Sequence, residues 1–198
     1  GVDLSQTRDL TSIICVFKVG DKLYTKSYFF MPNDGEKMLR SGGLSLYNWI
    51  NDGLIYKSSS KTIDYDVIRD TLIEINNKYN IKIIYYDPSN SAIFIDKLRK
   101  TGILNKCKPF PQRTHNFNEP LKYLEKLIFD EDIIMDSPVL KWNINNAIIY
   151  TDGNGNIKIM KNKSADSVDG AVALGMAVGG YLHMNSGSKL PSSVWQNS

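Results

Sequence analysis

The sequence predicts a mixed α/β fold: a central sheet of three antiparallel strands followed by parallel strands, flanked by helices, with a late β-hairpin before a terminal helix. Three observations predict it. Gly20-Asp21 stands between the β-rich runs ICVFKV and LYTKSYFF, a two-residue turn signal that makes an antiparallel hairpin. An amphipathic segment beginning at Asp64 runs straight into the apolar run IKIIYYD, and a strand, helix, strand order favours a crossover with parallel pairing. AIIYTDGNGNIKIMK (147–161) places Asp152-Gly153-Asn154-Gly155 between two β-rich runs, the clearest hairpin of the chain, and an almost wholly apolar helix follows.

The first stretch, GVDLSQTRDLTSIICVF, ends in Thr11, Ile13, Ile14, Cys15, Val16 and Phe17, residues suited to a buried strand, with Asp3 where that strand begins. After the hairpin, MPNDG (31–35) breaks the strand, and residues 36–50 space Met38, Leu39, Leu46, Trp49 and Ile50 in a partly helical way around Ser41-Gly42-Gly43. LIYKS (54–58) is the third strand of the meander. Asp64 caps a helix whose inward stripe is Val67, Ile68, Thr71, Leu72, Ile75 and Tyr79. The strand IKIIYYD ends at Asp87, where Pro88 stops the ladder. Ser89 or Asn90 caps a short helix through Lys100, closed by Gly102.

KCKPFP reads as an edge strand, because Pro109 and Pro111 cannot donate within a central ladder. Asn118 with Pro120 opens an amphipathic helix using Leu121, Leu124, Leu127 and Ile128, and Ser137-Pro138 opens a shorter one carrying Leu140 and Trp142. From Asn185 onward the chain is rich in Ser, Gly, Asn and Lys, which predicts a folded domain over 1–183 and a flexible tail over 184–198.

A chain of 198 residues is one domain with room for a substantial core. Its net charge of +3 is compatible with a polyanionic partner without singling one out. Cys15 and Cys107 have neither CxxC nor CxxH spacing, so they form neither a disulfide framework nor a zinc site and are expected as reduced, buried thiols. No apolar run approaches the length of a membrane span and no signal peptide opens the chain, so the expectation is a soluble, cytoplasmic protein with no membrane partner.

The chemical signal lies in the acids. Asp3, Asp87, and Asp166 with Asp169 each stand at the boundary of a buried element, the last two in the first turn of the apolar closing helix. A carboxylate in such a place is costly unless a cation, a hydrogen bond or water compensates it. Carboxylate oxygens are hard ligands that select Mg²⁺ or Mn²⁺. Two such ions about 4 Å apart activate water and stabilise the leaving oxygen in phosphodiester cleavage. Without them, the acids repel and raise one another's pKa, leaving the site loose or partly protonated.

GVDLSQTRDLTSIICVF, YDPSN and SADSVDGAVALGMAVG resemble the three acidic motifs of the nuclease domain of phage terminase large subunits, written DLSxTxDLT, YDPxN and DGxxAL. The resemblance covers most of the chain, including the SYFFMP strand and the NGNIK hairpin. It implies a ribonuclease H-like fold and a metal-dependent endonuclease that cuts concatemeric double-stranded viral DNA in the host cytoplasm with two Mg²⁺ or Mn²⁺ ions. By motif, Asp3 bridges both metals, Asp87 is the acid after the fourth strand, and Asp169 is the acid of the DG pair, with Asp166 supporting a metal directly or through water. Lys163 would meet the scissile phosphate, with Lys158 and Lys161 as further DNA contacts. Implied partners are an N-terminal ATPase domain of the same protein, the small terminase subunit and the portal. The chain has no GxxxxGK[ST] phosphate loop, so it is expected to be the nuclease domain alone.

Each residue also has a plainer role to weigh. Asp3 suits a solvated terminus, Asp87 a turn opening before Pro88, and Asp166 with Asp169 an N-cap and its N3 partner. Asp9, Asp64 and Asp66 read as capping or surface residues, His115 as a lone polar histidine, and Tyr85 and Tyr86 as sheet residues. Lys97, Arg99, Lys100, Lys106 and Lys108 form a solvated face that becomes a candidate phosphate track beside a nuclease site. The late hairpin, with its three lysines, would guide DNA or touch the ATPase. The alternatives are a junction resolvase or transposase-like nuclease of the same fold, a non-catalytic DNA-binding module and, on the loose likeness of DLSQT to a phosphate loop, an actin-like ATPase. That last class needs two such domains, and this chain is long enough for one.

Overall fold

The computed structural model describes residues 1–5, 10–35, 43–89, 91–164 and 166–185, with the backbone alone for 43 and 44. A seven-stranded sheet forms its centre in the order β4-β3-β2-β1-β5-β6, with β7 also paired to β3. The strands are β1 (Val2–Asp3), β2 (Thr11–Val19), β3 (Lys22–Met31), β4 (Ile55–Lys57), β5 (Ile84–Tyr86), β6 (Cys107–Pro109) and β7 (Ile133–Ile134). β2 runs antiparallel to both of its neighbours, β1 and β3, while β4 and β7 pair parallel to β3, β5 to β1, and β6 to β5. The expected mixed sheet is present, with two changes of detail. The first stretch is two strands rather than one, since β1 is separated from β2 and folds back along it. LIYKS pairs parallel to β3, so the antiparallel trio is completed by β1.

The helices are α1 (Gly43–Asn51), α2 (Tyr65–Tyr79), α3 (Ala92–Leu98), α4 (Thr114–Phe129), α5 (Pro138–Asn145) and α6 (Asp169–Asn185). Two apolar layers cover the two faces of the sheet. On one, Ile68, Leu72 and Ile75 of α2 and Phe94 and Leu98 of α3 pack on Val2, Ile13, Phe30 and Ile84. On the other, α4, α5 and α6 pack on Ile14, Phe29, Met31 and Tyr85. The alternation of side chains along each strand sorts these residues: Val2 and Ile13 point to the first layer, which directs Asp3 and Ser12 to the second.

Asp64 caps α2 as expected, its carboxylate accepting from Asp66 N, and Ser137 Oγ accepts from Val139 N at the start of α5. Three boundaries differ from expectation. α3 starts after Ser91, whose hydroxyl donates to Pro88 O instead of capping, and it ends at Leu98 rather than Lys100; Asn90 lies outside the described residues. α4 begins at Thr114, so Pro120 lies inside the helix rather than opening it. An interior proline removes a helical hydrogen bond, and here it is buried against α6, where a Cβ added to Gly179 would stand 3.2 Å from Pro120 Cγ. Ile128, expected inward, is exposed. α6 continues to Asn185, past the boundary expected after 183, and 186–198 lie outside the described residues, as do 36–42.

α6 carries four glycines that lower its intrinsic helix propensity, yet its residues 169–180 are all buried. Tertiary contact explains the choice: a Cβ on Gly175 would stand 3.0 Å from Phe117 Cε1, so glycine lets α4 and α6 approach closely. The late hairpin forms a separate two-stranded sheet of β8 (Ile149–Thr151) and β9 (Ile157–Ile159), followed by a 3-10 turn over Lys161–Lys163. No helix among the described residues is long and apolar enough to cross a membrane.

Cys15 and Cys107 are free thiols. Burial pushes the Cys107 thiol up to about 11 and raises the Cys15 thiol as well, which keeps both protonated at neutral pH. Because the thiolate is the nucleophile, iodoacetamide at pH 8 is expected to alkylate Cys107 in the folded protein roughly 100-fold more slowly than a free cysteine. Mass spectrometry of a time course checks this, and alkylation at the rate of glutathione would contradict it.

Candidate active site

Asp3 ends β1 at the centre of the sheet and is 1% exposed. The parallel register sets Val2 opposite Tyr86, so the next residues along, Asp3 and Asp87, leave neighbouring strands at the same end and toward the same face. Asp169 begins α6 on that face and is 5% exposed. A carboxylate there faces the positive end of the helix dipole. Three segments far apart in the chain therefore deliver their acids to one end of one layer.

Lys161 joins two of them. Its Nζ donates to Asp3 Oδ2 at 2.5 Å and to Asp169 Oδ1 at 3.3 Å. The other oxygen of each acid is held by a neutral donor: Gln112 Nε2 lies 3.2 Å from Asp3 Oδ1, and Ser167 Oγ lies 2.7 Å from Asp169 Oδ2. Each carboxylate thus turns one oxygen to the same ammonium and keeps the other fixed. Asp87 is half-buried and accepts from Ser89 N at 3.0 Å, the hydrogen bond of a turn before which Pro88 ends the strand.

The start of α6 is set by α5. Asn143, wholly buried, accepts from Gly170 N at 2.9 Å and from Ser167 Oγ at 3.3 Å, while its Nδ2 donates to Val139 O at 2.9 Å. A side chain from another helix therefore does what an N-cap residue does locally. Gly170 permits the approach, since a Cβ there would stand 2.8 Å from Phe29 Cε1 and 3.2 Å from Asn143 Cγ.

Electrostatics follow from burial. Loss of water pushes the Asp3 carboxyl well above the ordinary carboxylate range; Lys161 pulls it down, and Asp169 and Asp87 push it up again. Burial opposes the charge on Lys161, but Asp3 and Asp169 more than compensate and hold its ammonium above the usual lysine value. With both acids ionised, two buried carboxylates would face a single ammonium, and that excess of negative charge, to which Asp87 adds, is part of what pushes the Asp3 carboxyl up.

The remaining predicted residues fall elsewhere. Asp166 lies before α6 rather than in its first turn, and its Oδ1 accepts from Ser167 N at 2.9 Å. Lys158 lies 5.8 Å from the centroid of the Tyr150 ring, and it is Lys161 rather than Lys163 whose Nζ reaches the acids. In the candidate phosphate track, Lys97 pairs with Asp66, Arg99 with Asp96, and Lys106 donates to Asn76 Oδ1. Gln112, Asn143 and Ser12 carried no motif. Ser12 stands directly across from Asp3 in the β1-β2 ladder, wholly buried, and its Oγ has no partner among the described residues.

Among the described residues, no three His, Cys, Asp or Glu side chains stand close enough together to hold a single metal ion. The donor set nevertheless fits a hard cation: two buried carboxylates already share a positive group, and an orphan hydroxyl lies beside one of them.

A family model described as "Terminase large subunit, endonuclease domain" matches residues 1–185. The large terminase subunit of Enterobacteria phage HK97 is 25% identical over 186 residues, which cover 90% of this chain and 36% of that protein. The large subunit of Lactococcus phage SK1 is 22% identical over 90% of this chain and 34% of its own length. The chain thus spans about a third of the length of these relatives. The crystal structure of the HK97 bacteriophage large terminase superposes with a TM-score of 0.82 at 24% identity, covering 91% of this chain and 38% of that one. The large terminase nuclease domain of bacteriophage SPP1, solved with bound Mn, superposes with a TM-score of 0.51 at 15% identity, covering 88% and 82%. At these identities, the structural likeness speaks for the fold.

Proposed function

Because the chain belongs to the family of terminase large subunit endonuclease domains, we propose that it is a Mg²⁺- or Mn²⁺-dependent endonuclease that cuts concatemeric double-stranded DNA during phage packaging. The observation that carries the reading is the shared cation: Asp3 and Asp169, 1% and 5% exposed, each turn one oxygen to Lys161 Nζ. The Mn bound by the SPP1 nuclease domain supports the same choice of ion.

Asp3, Asp169 and Asp87 would hold two divalent ions, with Asp166 as a further acid beside the helix start. Bound there, the ions supply Lewis-acid activation of water and neutralise the charge on the phosphate and the leaving oxygen. Gln112 and Ser167 orient the two buried carboxylates by fixing their remaining oxygens. Asn143 anchors the backbone from which Asp169 projects. Lys158, Lys161 and Lys163, on and just after the late hairpin, offer positive charge to the DNA backbone. The domain would extend through the end of α6 at Asn185 rather than stopping at 183. In the longer protein, an ATPase domain, the small subunit and the portal would be its partners.

The test is nicking of supercoiled plasmid by the purified chain. Conversion to relaxed and linear forms is expected with millimolar Mn²⁺ and none with EDTA. Cutting that survives EDTA, or no cutting with either metal, would overturn the proposal. A strong preference for four-way junctions over linear duplex would favour the resolvase alternative.

A further inference from the structure

We propose that Lys161 is the resident counter-ion of the acidic site, held between Asp3 and Asp169 until a divalent cation takes its place. The inference rests on the reading of Asp3 and Asp169 as metal ligands. Metal loading is then an exchange of cations rather than the filling of an open cage.

The geometry sets up the competition. The ammonium sits 2.5 Å from Asp3 Oδ2 and 3.3 Å from Asp169 Oδ1, and those are the oxygens a metal ion would take. The opposite oxygens are committed to Gln112 and Ser167, so neither acid can serve both cations by turning its other oxygen. Two cations within ~3 Å of one another in a buried site repel strongly. A dication that gains both oxygens therefore expels the lysine.

Energetics give the lysine a reason to be there. Two carboxylates buried to this degree, with no cation between them, carry an uncompensated desolvation penalty. The ammonium relieves it and keeps the strand end and the helix start together. It also has a way out. The Lys161 side chain is 39% exposed and hangs from a 3-10 turn after β9, so it can swing to solvent without unpacking the core. Lys158 instead lies over the Tyr150 ring, 5.8 Å from its centroid. Once displaced, the Lys161 ammonium remains within a side-chain length of the acids, where a phosphodiester is its natural partner.

Calorimetric titration of Mn²⁺ into the metal-free chain tests the exchange. Lys161→Met keeps the length of the stem and removes the charge. It is expected to bind Mn²⁺ at least about tenfold more tightly than the wild type, to melt lower without metal, and to gain more in Tm when Mn²⁺ is added. Lys161→Arg should stay close to the wild type, and Lys82→Met, an exposed lysine elsewhere, should change nothing. Equal or weaker Mn²⁺ affinity in Lys161→Met overturns the proposal. Absence of Mn²⁺ binding in every variant, the wild type included, overturns the metal-site reading and the exchange together. The wild type gives a second measurement should Lys161→Met not fold: the ¹⁵N–¹H signal of the Lys161 ammonium should be protected in the metal-free protein and lost on adding Mg²⁺. A signal that persists unchanged with Mg²⁺ bound also overturns it.

Discussion

Asp3→Asn is expected to reduce Mn²⁺-dependent plasmid nicking by more than about 100-fold, beyond what loss of a metal ligand's outer partner costs, while leaving the fold intact. Asparagine has the shape of aspartate and can still accept from Gln112 Nε2. It cannot offer the second anionic oxygen that Asp3 turns to Lys161. The cation position then keeps only Asp169 as a buried charge. Stability should change little, because Lys161 keeps Asp169 as its partner and reaches solvent, so no buried charge is left unpaired while the desolvation penalty of one carboxylate is removed. Asp87→Asn and Asp169→Asn are expected to act in the same direction, whereas Asp166→Asn should act more weakly, since Asp166 lies outside the helix and its Oδ1 is engaged with Ser167 N. Nicking assays read beside circular dichroism separate lost chemistry from lost fold. Retained nicking in Asp3→Asn, Asp87→Asn and Asp169→Asn would sink the active-site assignment.

Asn143→Ala should destabilise the protein by about 2–3 kcal/mol, the cost of a buried donor left unmatched together with a small cavity. For a chain of this size, that corresponds to a fall in Tm of about 4–12 °C. The physical reason is the position of the amide, which is wholly buried between α5 and α6 and accepts from Gly170 N while donating to Val139 O. Truncation leaves Gly170 N–H without a partner where no water-exposed alternative is at hand. It also releases the backbone at the start of α6, from which Asp169 projects, so Asp169 loses definition even though Ser167 Oγ can still donate to it. The activity of the surviving folded fraction is therefore expected to fall as well, although Asn143 touches no acid. Differential scanning calorimetry checks the first expectation. A Tm within 1 or 2 °C of the wild type, roughly the scale of a surface substitution, would show that α6 does not need this cap.

These two residues mark different degrees of legibility. Asp3, Asp87 and Asp169 could be picked out because each lies where an apolar run starts or stops, and residue type and spacing alone record that. Asn143 could not. It sits among Trp142, Ile144 and Asn145 with nothing local to distinguish it, and its partner Gly170 is 27 positions away. Asp166 shows the reverse error. Its spacing from Asp169 fits a helical first turn, but Asn143 supplies the cap from outside, and α6 starts only at Asp169. Pro120 was read as a helix opener on local grounds, and burial against α6 carries the helix through it.

By itself, the sequence determined what depends on neighbours in the chain: the Gly20-Asp21 and Asp152–Gly155 turns, the caps at Asp64 and Ser137, the alternation of the strands and the three acidic segments. Tertiary structure alone decided the parallel pairing of β4 with β3, the use of Gln112 and Ser167 as clamps, and the choice of Lys161 over Lys163 as the cation between the acids. Lys161 and Asp3 meet across 158 positions of sequence, and Gln112 and Asp3 across 109. Backbone propensity acts over one turn of helix or one hairpin. Which distant side chain arrives at a buried charge is settled by how the layers pack, and no local pattern records it.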